Sequence, residues 1–333
     1  MSRILLPFET GALALPTAPV LYLNAQPGAV ISAFDDLLCV QDAHPIWSQL
    51  PRHSHFRAED ITGTFALTLL DITRDRDQNR ALIARAWTHT EPGGHIVLSG
   101  NKTDGIDALA KEARAHLNLV GSMAKSHGKV IWIERTDDLP DVIETWRKLG
   151  TLSLNEDGFL TAPGMFSHAR VDKGSKLLAR ALPAKLGSHV VDLGAGWGYL
   201  ASQVLNNQAV KHIDLIEASA AAIGAARANV TDARAHFHWV NALTMGGLTD
   251  LVDTVVMNPP FHTGRAADPA LGQGFIETAR GCLKPGGTLY MVANRQLPYE
   301  ATLQAGFRSV SELASEGGFK VIAAHGPRRD KKR

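Results

Sequence analysis

The sequence predicts an α/β protein built from two tandem units, each a mostly parallel sheet flanked by helices, with the first unit a degraded copy of the second. Three observations carry this. Short apolar runs alternate with helical segments through the second half, as βαβ units require. A fainter version of the same order runs through the first half. The chain also has 333 residues, roughly twice the usual size of one domain.

In the second half, residues 189–193 read as a strand that runs into glycines, and 199–205 as the helix after it. Residues 212–217 are the next strand, followed by an alanine-rich helix over 218–230. Further strands are expected at 237–241 and 251–257. Residues 274–283 fit a helix whose end is marked by Lys284-Pro285-Gly286-Gly287, and 288–294 is another strand. In the first half, residues 92–102 parallel 285–295 at a constant offset of 193: a turn, an apolar strand, then Asn and a cation. Residues 20–28 can be laid over 190–198 with four identities in nine positions, and 65–71 reads as a further strand. Gene duplication accounts for the pattern. Residues 137–163, with Leu149-Gly150 and Asp157-Gly158, read as a connector between a domain at 1–136 and one at 164–333.

Composition narrows the class. With 45% hydrophobic and 20% charged residues, the chain is an ordinary globular protein rather than a disordered, fibrous or disulfide-stapled one. Cys39 and Cys282 lie in opposite halves without a CxxC, which suits a reducing cytoplasm. The apolar stretches near 12–25 and 288–293 are too short or proline-broken to span a bilayer. Arg3 and Ile4-Leu5-Leu6 mimic a secretory leader only until Pro7 and Glu9. Charge is uneven: residues 1–163 carry 15 Lys+Arg against 20 Asp+Glu, and residues 164–333 carry 19 against 13. A basic second half suggests an anionic partner such as nucleic acid. The tail from Arg328 to Arg333 supplies four units of that excess, and a solvated end explains it equally well.

The chemistry-bearing residues follow the strands of the second half. Gly194, Gly196 and Gly198 form a turn between strand and helix, where missing side chains let backbone N–H groups approach a ligand. The spacing is not the dinucleotide GxGxxG, and no phosphate-loop Lys follows. Glu217 ends the next strand, where its carboxylate could accept both hydrogen bonds of a ribose diol. Asp192 could support the loop or approach a cationic amino-acid moiety, and Asn241 could meet an adenine edge. Together they suggest a nucleoside ligand without a pyrophosphate. After the fourth strand comes Asn258-Pro259-Pro260-Phe261. The Asn258 side-chain oxygen and the Pro259 carbonyl can jointly accept hydrogen bonds from one planar NH2 group, and Phe261 offers a stacking face.

These motifs, with Pro163-Gly164-Met165-Phe166-Ser167, the run from Asp172 to Leu178, His262 and Asn294…Tyr299, resemble the bacterial ribosomal small-subunit methyltransferase C family. Those enzymes are S-adenosylmethionine-dependent guanine-N2 methyltransferases of 16S rRNA. The specific motifs cover roughly 163–323, and the first half matches only in outline. The resemblance implies two tandem Rossmann-like methyltransferase domains, the first degenerate and the second with an intact cofactor site. It places Asp192, Gly194, Ala195, Gly196, Glu217, Asn241 and Ala242 at the cofactor, with Phe166 and Ser175 on its other side. Asn258, Pro259, Pro260 and Phe261 would surround the target amine. Trp197 after the glycines is a departure expected to reshape the nearby wall. The implied partner is rRNA, within the small subunit or an assembly intermediate, met by a cytoplasmic monomer. A large-subunit rRNA enzyme, a protein glutamine methyltransferase and an RNA-binding assembly factor are the rival readings.

Other residues read as structural. His53-Ser54-His55 and His236-Phe237-His238 could each present two imidazoles on one strand face, but no third ligand stands at a recognisable spacing, so no metal is expected. Cys39, Cys282, Trp132 and Trp146 read as packing residues. In the first half, Tyr22 stands where Asp192 would be, and Asn24 and Gln26 replace two of the three glycines. That copy is expected to have lost the cofactor site.

Overall fold

The computed structural model describes residues 2–52, 54–245, 251–260, 262–263, 266–267 and 269–329. The chain divides into two compact units, one of residues 1–153 with 162–164, the other of 154–161 with 165–333.

The first unit holds a six-stranded sheet. Its strands are β1 (Val20–Leu23), β2 (Leu37–Val40), β3 (Phe65–Asp71), β4 (Thr90–Asn101), β5 (Asn118–Lys125) and β6 (Gly128–Glu134), in the order β2-β1-β3-β4-β6-β5. The first four are parallel, while β6 runs antiparallel to both of its neighbours. Short pairs β7 (Ser153–Leu154) and β8 (Leu160–Thr161) follow. The second unit holds seven strands: β9 (His189–Leu193), β10 (His212–Glu217), β11 (Ala235–Trp239), β12 (Val252–Met257), β15 (Leu283–Asn294), β16 (Phe307–Glu316) and β17 (Phe319–Pro327), with β13 (His262–Thr263) and β14 (Ala266–Ala267) pairing separately. Their order is β11-β10-β9-β12-β15-β17-β16. This is the order of the first sheet with one strand, β11, added at the edge.

The duplication is visible in detail. Helix Arg76–His89 with β4, and helix Pro269–Cys282 with β15, are offset by the same 193 positions found in the sequence. Glu91-Pro92-Gly93-Gly94 loops out of β4 between Thr90 and His95, and Lys284-Pro285-Gly286-Gly287 loops out of β15 between Leu283 and Thr288. Each loop gives the same irregularity against the neighbouring strand. Parallel strands with both faces covered read as apolar runs, and here Val190, Leu215, Val256 and Val292 pack on one face while Val191, Ile216, Val255 and Met291 pack on the other.

One boundary differs from expectation. The segment 137–163 is not a bare connector, because Asp141–Leu149 is a helix whose Ile143 and Trp146 are buried in the core of the first unit. Trp132 is buried as well, so both tryptophans pack as expected. In the second unit the helix expected at 274–283 begins earlier, at Pro269. The basic tail is partly structural. Arg329 donates to the carbonyls of Arg280 and Gly281 at the C-terminal end of helix Pro269–Cys282, where a cation satisfies orphan carbonyls. Asp330, Lys331, Lys332 and Arg333 lie outside the described residues.

Candidate active site

In the second sheet the chain leaves β9 in one direction towards β10 and later returns on its other side as β12. The crevice at the C-terminal ends of β9 and β12 is therefore a topological switch point, where open α/β sheets bind ligands. Both sequence motifs open into it. The turn after β9 keeps Gly194, Gly196 and Gly198 at φ +79°, +55° and +94°. Gly194 and Ala195 donate their N–H groups to the Ile216 carbonyl at 2.9 and 3.0 Å, which ties the turn to β10. A Cβ on Gly198 would stand 2.9 Å from Val230, whereas one on Gly196 would meet nothing within 4 Å. The turn is thus closed behind and open in front.

Glu217 stands at the end of β10, as expected. Its two carboxylate oxygens accept from the N–H groups of Gly196 and Ser219, each at 2.8 Å. Asp192 takes the supporting role of the two considered for it. It is wholly buried beneath the turn, and one oxygen accepts from the Ala201 N–H at 2.9 Å. Its other oxygen has no hydrogen-bond partner among the described residues. Burial pushes its pKa up to about 7, with the Glu217 charge adding to the effect.

The cleft in front of the turn is lined by Phe166, Asp172, Ser175, Gly196, Trp197 and Asn258, among others. Asp172 caps helix Lys173–Ala181, accepting from the Ser175 N–H at 2.9 Å, as a short acidic side chain at this position should. The same carboxylate oxygen and the Ser175 hydroxyl each accept from Asn258 Nδ2, both at 2.9 Å. A carboxylate can only accept, so the Asn258 amide is fixed one way round, and its Oδ1 is left to accept from a bound group. Ser175 therefore reaches Asn258 as well as the cleft. Trp197 is buried, and its indole N–H donates to the Phe166 carbonyl at 2.9 Å. It is part of the wall and holds the loop that carries Phe166, which is 59% exposed at the rim.

Asn241 and Ala242 follow β11, away from that lining. Asn241 uses its Oδ1 to cap a short turn, accepting from the Leu243 N–H at 3.0 Å, and Ala242 is buried. An adenine contact through Asn241 would thus fall to its Nδ2 or to the backbone. Pro259 is buried and Pro260 exposed, while Phe261 lies outside the described residues.

Sequence reasoning missed three supporting residues. Asp172 lies three residues before Ser175, a spacing that signals a helix cap but not the contact with Asn258. Asn229 ends helix Ala220–Asn229 and binds the carbonyls of Leu160 and Trp197, both at 2.9 Å. Lys320, only 4% exposed, donates to the carbonyls of Arg295 and Leu297 at 3.1 Å and to Glu300, fixing the loop after β15. None of these has a sequence neighbour that announces its partner.

The equivalent crevice of the first unit is filled. The registers of β1 with β3 and of β9 with β12, carried past the paired residues, set Asn24 level with Asp71 and Gly194 level with Asn258. The Tyr22 hydroxyl donates to the Asp71 carboxylate, and Asn24 Nδ2 donates to the Asp71 carbonyl at 2.6 Å. Gln41, in the place of Glu217, is buried and donates to the Ala25 carbonyl at 2.8 Å and to Asn24 at 3.2 Å. Asn24 keeps a positive φ of +50°, a legacy of the glycine turn that Asn tolerates.

Comparison with known proteins finds similar sequences and a similar fold. The sequence pattern of the family described as methyltransferase small domain matches residues 156–323. A Hahella chejuensis protein named ribosomal RNA small subunit methyltransferase C is 30% identical over 316 residues, covering 91% of this chain and 84% of the relative. A Psychromonas ingrahamii protein of the same name is 29% identical over 265 residues, covering 78% and 75%. A solved 16S rRNA N2 methyltransferase of T. thermophilus, in complex with AdoMet and guanosine, superposes with a TM-score of 0.77 at 23% identity, covering 95% of this chain and 90% of that one.

Proposed function

The chain belongs to the ribosomal RNA small subunit methyltransferase C family, and from that premise we propose that its second unit methylates the exocyclic N2 of a guanine in 16S rRNA. The observation that carries the reading is the pinned Asn258 amide: two acceptors hold its NH2, so Oδ1 is committed to receiving a donor. An exocyclic amine is such a donor.

S-adenosylmethionine, when bound, supplies an electrophilic methyl group. The residues present fit it. The front of the glycine turn is open at Gly196, which lines the cleft with Gly194 and Ala195, and the Glu217 carboxylate stands beside that turn. Gly194, Ala195 and Gly196 provide the close backbone approach, and Glu217 would accept from a ribose diol. Phe166 and Ser175 would border the cofactor from the opposite wall. Asn258 Oδ1 and the Pro259 carbonyl would accept the two amine hydrogens. Those hydrogen bonds strengthen as the nitrogen becomes cationic, so they favour the transition state over the ground state. Proton loss can follow methylation, and no residue is assigned as a general base. The base must leave its stack to reach the pocket, and Phe261 would offer it a face.

The domain at 164–333 is the catalytic one in this reading, and the first unit supports it without a cofactor of its own. The enzyme acts as a monomer in the cytoplasm, on the small subunit or an assembly intermediate. Free Cys39 and Cys282 sit in different units, and burial pushes the Cys39 thiol up to about 11, which suits packing rather than nucleophilic chemistry. Among the described residues, no helix is long and apolar enough to cross a membrane.

The test is incubation of the full chain with methyl-labelled S-adenosylmethionine and, separately, small subunits, large subunits and release factors. Label in guanine N2 of 16S rRNA is the expected result. Label in 23S rRNA or in a glutamine side chain would reject it.

A further inference from the structure

A second cluster of chemistry-bearing side chains lies away from the cleft, on the other stretch of the same strands. His189 and His212 are the first residues of β9 and β10, and the glycine turn and Glu217 come at the far ends of those strands. Register pairs His189 with His212, and Asp214 with His236. Because side chains alternate along a strand, His189, His212, Asp214, His236 and His238 share one face across β9, β10 and β11. Asp214 is the buried centre of the group. Its Oδ2 lies 2.7 Å from His189 Nε2, and its Oδ1 lies 3.1 Å from His212 Nε2 and 2.7 Å from His238 Nε2. The His236 ring stacks on that of His212 at 4.0 Å and 9°, which fixes the His212 ring plane.

We propose that His189, His212 and Asp214 bind a divalent cation of the zinc class, with His238 or a water completing the coordination. The donor set is the one such ions take: imidazole nitrogens and a carboxylate oxygen, with an open position. The ligand atoms of His189, His212 and Asp214 all lie within 4.8 Å of one another. Zinc bonds of about 2.0–2.1 Å set neighbouring tetrahedral ligands about 3.4 Å apart. The separations from Asp214 are 2.7 Å for His189 and 3.1 Å for His212, each to a different carboxylate oxygen, so both rings must draw back to admit the ion. The His212 side chain is 38% exposed, which leaves a path from solvent. Of the two imidazoles that the His236-Phe237-His238 spacing puts on this face, His238 reaches Asp214 and His236 stacks on His212, while the proposed ligands themselves come from β9 and β10. Bound there, the ion would staple β9 to β10, and to edge strand β11 where His238 completes the coordination, at a distance from the methyl-transfer cleft.

The experiment uses the full chain, stripped with a chelator and dialysed. Zinc chloride is titrated in competition with a chromophoric chelator, and cobalt chloride is titrated in parallel with visible absorption followed. The expected result is one equivalent held with micromolar or tighter affinity, and cobalt bands of the intense four-coordinate type. His212→Gln and His189→Gln should each weaken binding at least about tenfold, and His116→Ala, an exposed control in the first unit, should leave it unchanged. Circular dichroism verifies that each variant is folded. His212→Gln carries the decision if His189→Gln is not, since its side chain is the more exposed of the two. Absence of a tight equivalent in the unsubstituted chain, or its retention in His212→Gln, overturns the site.

Discussion

In the proposed reaction Asn258 would receive the amine, which requires its amide to be fixed one way round, and Asp172 and Ser175 do that fixing. Asn258→Ala should therefore leave cofactor affinity near the unsubstituted value and lower kcat about a hundredfold or more. Asp172→Ala should lower kcat in the same direction by at least about tenfold, through a misaligned Asn258. Asp172→Asn keeps an oxygen where both donors point, so it should recover most of the rate. Single-turnover kinetics beside calorimetric affinities decide this, and equal losses in the two Asp172 variants would dissociate that residue from catalysis. Glu217→Ala removes the proposed diol acceptor and a tether of the glycine turn. It should weaken S-adenosylmethionine binding by about 1.5–3 kcal/mol, the range for hydrogen bonds to a charged group, and unchanged affinity in calorimetry would take Glu217 out of the site. Asn258 and Glu217 could be found from the sequence because each ends a strand beside a motif. Asp172 could not be assigned its partner, since 86 residues separate it from Asn258.

The glycine turn separates two kinds of constraint within one element. Gly198 has a left-handed φ and Val230 close behind it, so Gly198→Ala should cost about 2–4 kcal/mol in folding from backbone strain plus overpacking. Gly196 has a left-handed φ but open space, so Gly196→Ala should cost about 1–2 kcal/mol in folding. Its added methyl should nonetheless weaken cofactor binding at least about tenfold, because Gly196 lines the cleft. Urea melts and calorimetry on both variants separate the effects, and a Gly196→Ala protein with native affinity would place the cofactor elsewhere. The strands of the second half were readable because buried parallel strands are short apolar runs bounded by glycine, proline and polar residues. Helix Asp141–Leu149 was missed, although Val142, Ile143, Trp146 and Leu149 already have helical spacing. Leu149-Gly150 marks the end of this helix rather than a loop.

At the scale of the whole chain, stability depends on pH through Asp192. Folded, its carboxyl keeps a proton up to about pH 7; unfolded, it releases it near the ordinary value of about 3.9. Between those values the native state binds more protons than the unfolded one. This contribution is therefore full below the unfolded pKa and is lost as pH rises towards 7, at no more than about 1.4 kcal/mol per pH unit. Asp192→Asn should remove that slope, so the stability difference between the two proteins should vary across the window. Parallel urea-melt curves from pH 4 to 8 would count against it. The filled crevice of the first unit makes a stoichiometric prediction as well. Tyr22, Asn24, Gln41 and Asp71 bond to one another or to the turn where a nucleoside would lie, so the full chain should bind one equivalent of S-adenosylmethionine. Two equivalents in a titration would restore a cofactor role to that unit.

By itself the sequence determined the α/β class and the duplication and pointed to the glycine turn, Glu217 and Asn258 as candidates, because each is encoded locally in the period of apolar residues, in glycine content and in residues that end strands. Only the tertiary structure decided which side chains support them. It put Asp192 beneath the turn rather than in the cleft, gave Asp172 to Asn258, and gathered His189, His212 and Asp214 from neighbouring strands. Lateral neighbours in a parallel sheet are separated in sequence by whole crossover helices. Their contacts are set by strand order and register, which no local spacing records.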